Sequence, residues 1–402
     1  MVRISQAIAA QAAYPFAALA AKRAALEARG MTVIDLSIGD ASLPSPTAAV
    51  ETLRERATRP EHHHYSSYNG VLPLRAAIGG WMKRRFGVTL DIDHEITALM
   101  GSKEGLFRFP QAALDPGDIV LYPDPGYPVY AHAIAHAGGQ PLPMKLSEKN
   151  NFLPDLDALP EETRRRVRMI IVNFPSNPTG ATADDPFYTK LYSYARRHDW
   201  IVLSDNAYCE IYDDAPPRST LEFDPRHERT IEFFSFSKSY SMTGWRLGWA
   251  CGNAKLVQAL LKVKGLQDSA PFEPVQFAGI AALNLSDTDM AATRRFYADN
   301  RATVKKALAA AGITYCDARA GFYLWARVPA GLTAAEFTDR LLAERQVLVT
   351  PGTAFGPNGE GWFRIAVTRP PDQMAAAAER IGQPWGQATC APDPSSDPSG
   401  DV

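Results

Sequence analysis

The sequence predicts an α/β fold, with a large domain built on a mainly parallel seven-stranded sheet and a smaller α/β domain beside it. The 402 residues exceed the size at which a single hydrophobic core stops growing. Apolar runs of strand length alternate with amphipathic segments of helix length, an order that is typical of parallel strands joined by helical crossovers. Near residue 284 this alternation gives way to a long helical stretch followed by two strands, which indicates the second domain.

Seven apolar runs predict the strands of the large sheet. In chain order they are EITALM, DIVLYP, QPLPMKL, RMIIVNFP, WIVLSD, TIEFFSF and LGWACG. Two crossover helices are predicted from apolar residues at helical spacing: VLPLRAAIGGWMKRRFG, which should end at Gly87, and DDPFYTKLYSYARRH.

The change of pattern sets the predicted domain organisation. Residues 1–47 are expected to form an amino-terminal arm and part of the small domain, residues 48–285 the large domain, and residues 286–386 the rest of the small domain. Residues 387–402 are rich in Pro, Ser, Asp and Gly and are expected to be disordered, because they cannot bury enough apolar surface to offset the entropy of ordering.

The composition indicates which class of molecule the protein binds. The chain is 46% hydrophobic and 21% charged with a net charge of −2, so it lacks the basic field that nucleic acid or anionic lipid would require. A small-molecule ligand is expected, with no nucleic acid and no membrane. The 4 cysteines are scattered without a CxxC pair, which favours a reducing, cytoplasmic location. The histidines at 62–64 lack the companions of a metal site, so no metal is expected.

Polar clusters follow most of the predicted strands. In an α/β sheet, ligands bind outside the carboxyl ends of the strands. The turn Gly101–Gly105 enters a helix and could bind a phosphate, although simple capping would explain it as well. The other clusters contribute an amide, a carboxylate, a phenol and two cations, namely Asn177, Asp205, Tyr208, Lys238 and Arg246.

This set of groups matches a pyridoxal phosphate (PLP) site, in which a lysine holds the aldehyde, an acid meets the ring nitrogen and several donors bind the phosphate. On the motifs NFPSNPTG, SDNAY and SFSKSYSMTGWRLG, the chain resembles the fold-type I PLP-dependent aminotransferases of class I/II over residues 14–380. The motifs GSKEGL and TPGTAFG are similar to the branch that contains the LL-diaminopimelate and glutamate-pyruvate (alanine) aminotransferases.

The resemblance implies roles around the cofactor ring. Lys238 is expected to hold the aldehyde and act as the catalytic base, and Asp205 to keep the pyridine nitrogen protonated. Tyr208 and Asn177 would bond the phenolic oxygen, and Tyr127 would stack on the ring. The phosphate would bind to Ser102, Lys103, Ser235, Ser237 and Arg246, and to Tyr65 of a neighbouring subunit.

The resemblance also implies a homodimer and a substrate site. Arg364 is expected to bind the α-carboxylate, with Gly39 and Asn177 beside it and Tyr14 lining the pocket from the arm. The expected reaction is ping-pong transamination between an L-amino acid and a 2-oxo acid, with glutamate and 2-oxoglutarate as one pair. A lyase, decarboxylase or oxidase on the same fold, acting on an unusual amino acid, is the alternative, and a catalytically silent binding module is a second one.

Overall fold

The large sheet contains the seven predicted strands. The computed structural model describes residues 2–5 and 15–383, and within them the strands of this sheet are β2 (Ile96–Leu99), β3 (Ile119–Asp124), β4 (Gln140–Lys145), β5 (Val167–Asn173), β6 (Ile201–Asp205), β7 (Thr230–Ser235) and β8 (Gly248–Gly252). Their order is β2-β8-β7-β6-β5-β3-β4. β8 pairs antiparallel with β2 and β7, and the other pairs are parallel. The prediction of a mainly parallel seven-stranded sheet is confirmed.

Helices connect these strands and continue into the carboxyl-terminal part of the chain. They are α1 (Pro15–Glu27), α2 (Thr47–Ala57), α3 (Leu72–Phe86), α4 (Ser102–Ala113), α5 (Val129–His136), α6 (Glu161–Arg166), α7 (Asp185–His198), α8 (Phe236–Ser239), α9 (Ala254–Gly265), α10 (Glu273–Leu283), α11 (Asp287–Ala310), α12 (Ala334–Arg345) and α13 (Pro371–Gly382).

Both faces of the large sheet are covered, because successive side chains of a strand point to opposite faces. In β5, Met169 and Ile171 pack in one apolar cluster with residues of α4, α5 and α9. Ile170 and Val172 pack in another with residues of α7. The sheet is therefore sandwiched between helices, and the carboxyl ends of its parallel strands stay open on one edge.

The helix ends follow the local sequence. Gly87 ends α3 in the left-handed conformation at φ 70, which a residue without a Cβ adopts at little cost. Asp184 accepts the N–H of Phe187 and begins α7. A reciprocal pair of bonds between Thr333 and Glu336 begins α12.

A second, smaller set of strands packs with α11, α12 and α13. β9 (Tyr323–Arg327), β11 (Thr350–Pro351) and β12 (Trp362–Ala366) form an antiparallel sheet in the order β11-β12-β9. β1 (Ile34–Asp35) pairs in parallel with β10 (Val347–Leu348). The first strand of the chain thus joins the carboxyl-terminal part, although the domain boundaries themselves stay a prediction.

Two further predictions concern membrane-spanning helices and the carboxyl-terminal tail. Across the described ranges, no helix combines the length and apolar character needed to cross a bilayer. The predicted tail at 387–402 lies outside the described residues.

Candidate active site

A cavity of about 380 Å³ lies at the open edge of the large sheet and brings together most of the predicted site residues. The predicted residues that line it are Gly39, Ser102, Lys103, Tyr127, Asn177, Asp205, Tyr208, Ser235, Ser237, Lys238, Arg246 and Arg364. Tyr65 lies elsewhere on the surface, and Tyr14 falls outside the described residues.

Lys238 projects from α8, the short helix that directly follows β7. Its Nζ donates a hydrogen bond of 2.6 Å to the carbonyl oxygen of Gly39. Burial lowers the pKa of this amine to about 8; Asp40 opposes the shift, and the guanidinium groups of Arg364 and Arg246 add to it. A substantial fraction of the amine is therefore neutral near pH 8 and available as a nucleophile or base.

Asp205 ends β6 at the floor of the cavity. Its Oδ2 accepts a hydrogen bond of 2.7 Å from the Tyr130 hydroxyl. Its Oδ1 is buried and has no hydrogen-bond partner among the described residues. Burial raises the carboxyl pKa to about 6, although the bond from Tyr130 opposes that shift. A buried acceptor without a donor is costly, and a cationic N–H such as a protonated pyridine nitrogen would satisfy it.

The turn between β2 and α4 forms an anion cradle. Gly101 has φ 80, and a Cβ there would come within 2.6 Å of a guanidinium nitrogen of Arg246, so the cation and the turn are in close approach. A Cβ on Gly248 would lie 2.8 Å from the backbone N of Ser102. The first N–H groups of a helix have no partner within it, and together with a guanidinium they suit a phosphate.

Two serines belong to the end of β7 and to α8. The Oγ of Ser235 accepts the N–H of Ser237 at 3.1 Å and begins α8. Both side chains line the cavity. An amine, an unsatisfied buried carboxylate and an anion cradle in one cavity are the three groups that PLP needs, so the donor set fits this cofactor.

Arg364 lies at the centre of β12 and is only 2% exposed. Its Nη1 donates to Asn177 Oδ1 at 2.7 Å, and its Nη2 donates to the carbonyl of Ser37. The guanidinium carbon is 4.2 Å from the centre of the Tyr323 ring and 4.5 Å from that of Phe355. These contacts fix the plane of the guanidinium.

Tyr323 is a site residue that the sequence did not reveal. The Tyr208 hydroxyl donates to the Tyr323 hydroxyl at 3.4 Å, while the Tyr323 ring supports Arg364. A Cβ on Gly39 would overlap the Tyr323 hydroxyl, so only glycine fits at position 39. In the sequence, Tyr323 looked like one apolar residue of a strand, GFYLWARV.

Tyr130 was missed for a similar reason. It lies three residues after Tyr127, and the two rings meet edge to face at 5.8 Å. The spacing was visible in DPGYPVY, but its significance depends on the position of Asp205. Of the histidines at 62–64, His62 is buried, and its Nδ1 is 2.8 Å from a Glu273 carboxylate oxygen.

The sheet is mainly parallel and covered on both faces, and an amine, an acid and an anion cradle lie at its strand ends. This combination defines the class of fold-type I PLP-dependent enzymes. The family model for aminotransferase class I and II matches residues 31–381, and the chain belongs to this family. It is therefore a PLP-dependent aminotransferase, which confirms the predicted fold class, cofactor and reaction type.

Individual relatives agree with this assignment. The chain is 45% identical over 370 residues to the LL-diaminopimelate aminotransferase of Aquifex aeolicus, covering 92% of this chain and 95% of that protein. It is 46% identical over 372 residues to the enzyme of the same name from Nitratidesulfovibrio vulgaris, covering 92% and 96%. The solved structure of substrate-bound BacF from Bacillus subtilis superposes with a TM-score of 0.91 at 32% identity, covering 96% and 100%. The two aminotransferase names favour amino-group transfer over the lyase, decarboxylase or oxidase alternative, and over a silent binding module.

Proposed function

We propose that Lys238 is the catalytic lysine of this aminotransferase and that the cavity around it holds PLP. The observation that carries the proposal is the convergence of the Lys238 amine, the unsatisfied Asp205 carboxylate and the anion cradle in one cavity. When bound, PLP supplies a protonated ring that takes up the electron pair left on the α-carbon of the amino acid.

The chain's own residues then have separate tasks. Asp205 Oδ1 would accept the ring N–H and keep that proton in place, and Ser102, Arg246 and the first N–H groups of α4 would hold the phosphate. Lys238 Nζ would hold the aldehyde carbon in the absence of substrate, and the amine that the substrate sets free would remove the α-proton of the amino acid. The neutral fraction left by its lowered pKa makes it a competent base near pH 8.

We assign the α-carboxylate of the substrate to Arg364. Its guanidinium is held in a fixed plane by Asn177, Ser37 and two aromatic rings, and a planar fork binds a carboxylate through two parallel hydrogen bonds. Because Asn177 Oδ1 accepts from Arg364, the Asn177 amide nitrogen is left to donate to the phenolic oxygen of the cofactor. Tyr208 would turn its one O–H from Tyr323 to the same cofactor oxygen, and Tyr127 would stack on the ring.

LL-diaminopimelate is the proposed amino donor, with 2-oxoglutarate as the acceptor. The names of relatives that are 45–46% identical over 92% of the chain support this choice. The test incubates the purified enzyme with LL-diaminopimelate, glutamate or alanine, each with 2-oxoglutarate or pyruvate, and measures the new amino acid formed. Turnover of LL-diaminopimelate with the highest kcat/KM supports the proposal. Turnover of the alanine and 2-oxoglutarate pair alone would replace it with the glutamate-pyruvate activity.

We also propose a homodimer in which Tyr65 reaches the phosphate site of the partner. Tyr65 is 92% exposed, and a second exposed apolar side chain, Leu266 at 94%, follows α9 close to the Tyr65 segment. A Cβ on Gly265 would lie 3.8 Å from the Tyr68 ring, which places the two exposed segments side by side. Large exposed apolar patches mark interaction surfaces.

Subunit mixing tests this arrangement. The variants Lys238→Ala and Tyr65→Ala are each expected to have low activity. If Tyr65 acts across the interface, a mixed dimer contains one site with both side chains intact, so mixing the two variants should restore activity. Mixtures that stay as inactive as the separate variants, although mixed dimers are present, would refute the shared site.

A cytoplasmic location is proposed on the state of the thiols. Cys209, Cys251 and Cys316 are free in the structure, as expected of a protein that works in a reducing compartment. Cell fractionation followed by detection of the enzyme would test it.

A further inference from the structure

Three charged side chains form a buried cluster next to the anion cradle and outside the active-site cavity. Glu104 is the third residue of α4, Lys264 lies near the end of α9, and Asp268 follows in the loop at 266–272. The Lys264 side chain is 0% exposed, and its Nζ is bonded to Asp268 Oδ1. We call these residues the acid-pair cluster.

The hydrogen bonds of the cluster leave two oxygens that face no donor. Glu104 Oε2 accepts the backbone N–H of Met100 at 2.7 Å, and Asp268 Oδ1 accepts that of Ala270 at 3.0 Å. In the part of the chain that the structure describes, Glu104 Oε1 and Asp268 Oδ2 are buried without any partner. Ionised carboxylates only accept hydrogen bonds, so two of them cannot satisfy each other. One proton between the carboxyl groups would satisfy both oxygens and would leave one negative charge against Lys264.

The electrostatics of Glu104 agree with a shared proton. Burial raises its pKa to about 7; the charge of Lys264 and the Met100 N–H oppose the shift, and the charge and side-chain contact of Asp268 add to it. Lys264 of α9 and Asp268 of the following loop are thus the charged groups acting on it. Glu336, the third residue of α12, has the same position in its helix but is exposed, and hydrogen bonds from Thr333 lower its pKa. Burial against a second acid, rather than position in the helix, distinguishes Glu104.

We propose that Glu104 and Asp268 are positioning residues that share one proton and thereby hold the first turn of α4 in shape to bind the phosphate of the cofactor. The inference rests on the proposed role of that turn in phosphate binding. Ser102 and Lys103 directly precede Glu104, and the Met100 N–H ties the preceding chain to the same carboxyl group. Loss of the proton leaves two carboxylates, those of Glu104 and Asp268, that repel each other next to the turn. It also adds a negative charge near the bound phosphate. Phosphate affinity therefore falls as pH rises through the titration of Glu104.

The test compares PLP affinity of the wild type and Glu104→Gln from about pH 6 to about pH 9. The Gln amide can donate to Asp268 Oδ2 while its carbonyl accepts from Met100, so it imitates the protonated acid but does not titrate. The affinity ratio of wild type to variant should be flat below about pH 7 and fall by up to about tenfold per pH unit above it, the limit for one coupled proton. Titration of Lys238 and of the ligand is common to both proteins and cancels in this ratio. Glu336→Gln, the matched control, should follow the wild type at every pH.

Infrared spectroscopy of the cofactor-free protein gives a second readout. A protonated-carboxyl band should be present in the wild type near neutral pH and lost in both Glu104→Gln and Asp268→Asn. This measurement tests the shared proton directly, even if either variant binds PLP poorly for other reasons. Parallel affinity profiles for wild type and Glu104→Gln, or a band unchanged by both substitutions, would overturn the inference. A wild type that binds no PLP at any pH would instead refute the proposed function, and the band would still show whether the pair holds a proton.

Discussion

Replacement of Arg364 by lysine is expected to lower kcat/KM while leaving PLP affinity unchanged. A lysine keeps the positive charge but has no planar fork, so it cannot hold a carboxylate through two parallel bonds. It also loses the stacking on Tyr323 and Phe355, whose ring centres lie 4.2 and 4.5 Å from the guanidinium carbon. Arg364 acts on the cofactor only through Asn177, and a lysine amine can still donate to Asn177 Oδ1, so PLP affinity should be unaffected.

The size of the effect follows from the hydrogen bond that a lysine cannot make. One hydrogen bond to a charged group is worth about 1.5–3 kcal/mol. Removal of one arm of the fork therefore predicts a fall of about 10- to 150-fold in kcat/KM for the amino acid. The assay is a single-turnover measurement of the first half-reaction, with PLP affinity determined in parallel.

Arg327→Lys is the matched control. Arg327 lies on β9 beside β12, its guanidinium carbon is 4.5 Å from the centre of the Trp362 ring, and it pairs with Glu148 at 2.9 Å outside the cavity. It has the same stacked geometry without a place in the site. A kcat/KM for Arg364→Lys within twofold of the wild type, or an equal fall in Arg327→Lys, would refute the assignment of the carboxylate.

Three further predictions concern the cofactor side of the cavity. Lys238→Ala should abolish turnover and the visible absorbance of lysine-bound PLP. In the wild type, the rate at which PLP binds to the lysine should rise with pH up to about 8, as the amine becomes neutral, and then level off. A rate that does not change with pH would contradict the lowered pKa of Lys238. Asp205→Asn should raise the free energy of unfolding of the cofactor-free protein by up to about 3 kcal/mol above pH 6 while weakening PLP binding. Because the folded-state pKa of Asp205 is raised to about 6, the gain should develop between the ordinary aspartate pKa and that value and be absent in more acidic solution, as urea titrations would show. Tyr323→Phe removes the hydroxyl next to Tyr208 but keeps the ring on Arg364, so kcat should fall by about 2- to 12-fold with little change in KM; an unchanged kcat would show that the hydroxyl contact has no role.

The strands were predictable because each one is an apolar run with its own local signal. Even β4 was recognised, although it contains Pro141 and Pro143; it lies at the edge of the sheet, where a missing N–H is tolerated. β1 and β10 were not predicted, since each has only two residues and forms by pairing with the other, more than 300 residues away.

The same distinction holds in the cavity. Lys238, Asp205 and Asn177 stand in motifs at strand ends, so their meeting could be predicted from topology. The contacts of Tyr130 and Tyr323 depend on how helices and a second sheet pack against those ends, and no short stretch of sequence carries that information. The roles of all these residues stay predictions until the variants are measured.

The pairing of Ile34 with Val347 has a consequence for biosynthesis. The carbonyls of Ser37 and Gly39, which bond Arg364 and Lys238, follow this strand directly. The segment at 34–39 therefore cannot pair until Val347, more than 300 residues later in the chain, has also been synthesised. The hydrogen bonds that these carbonyls accept in the candidate active site can thus form only after both distant segments have left the ribosome.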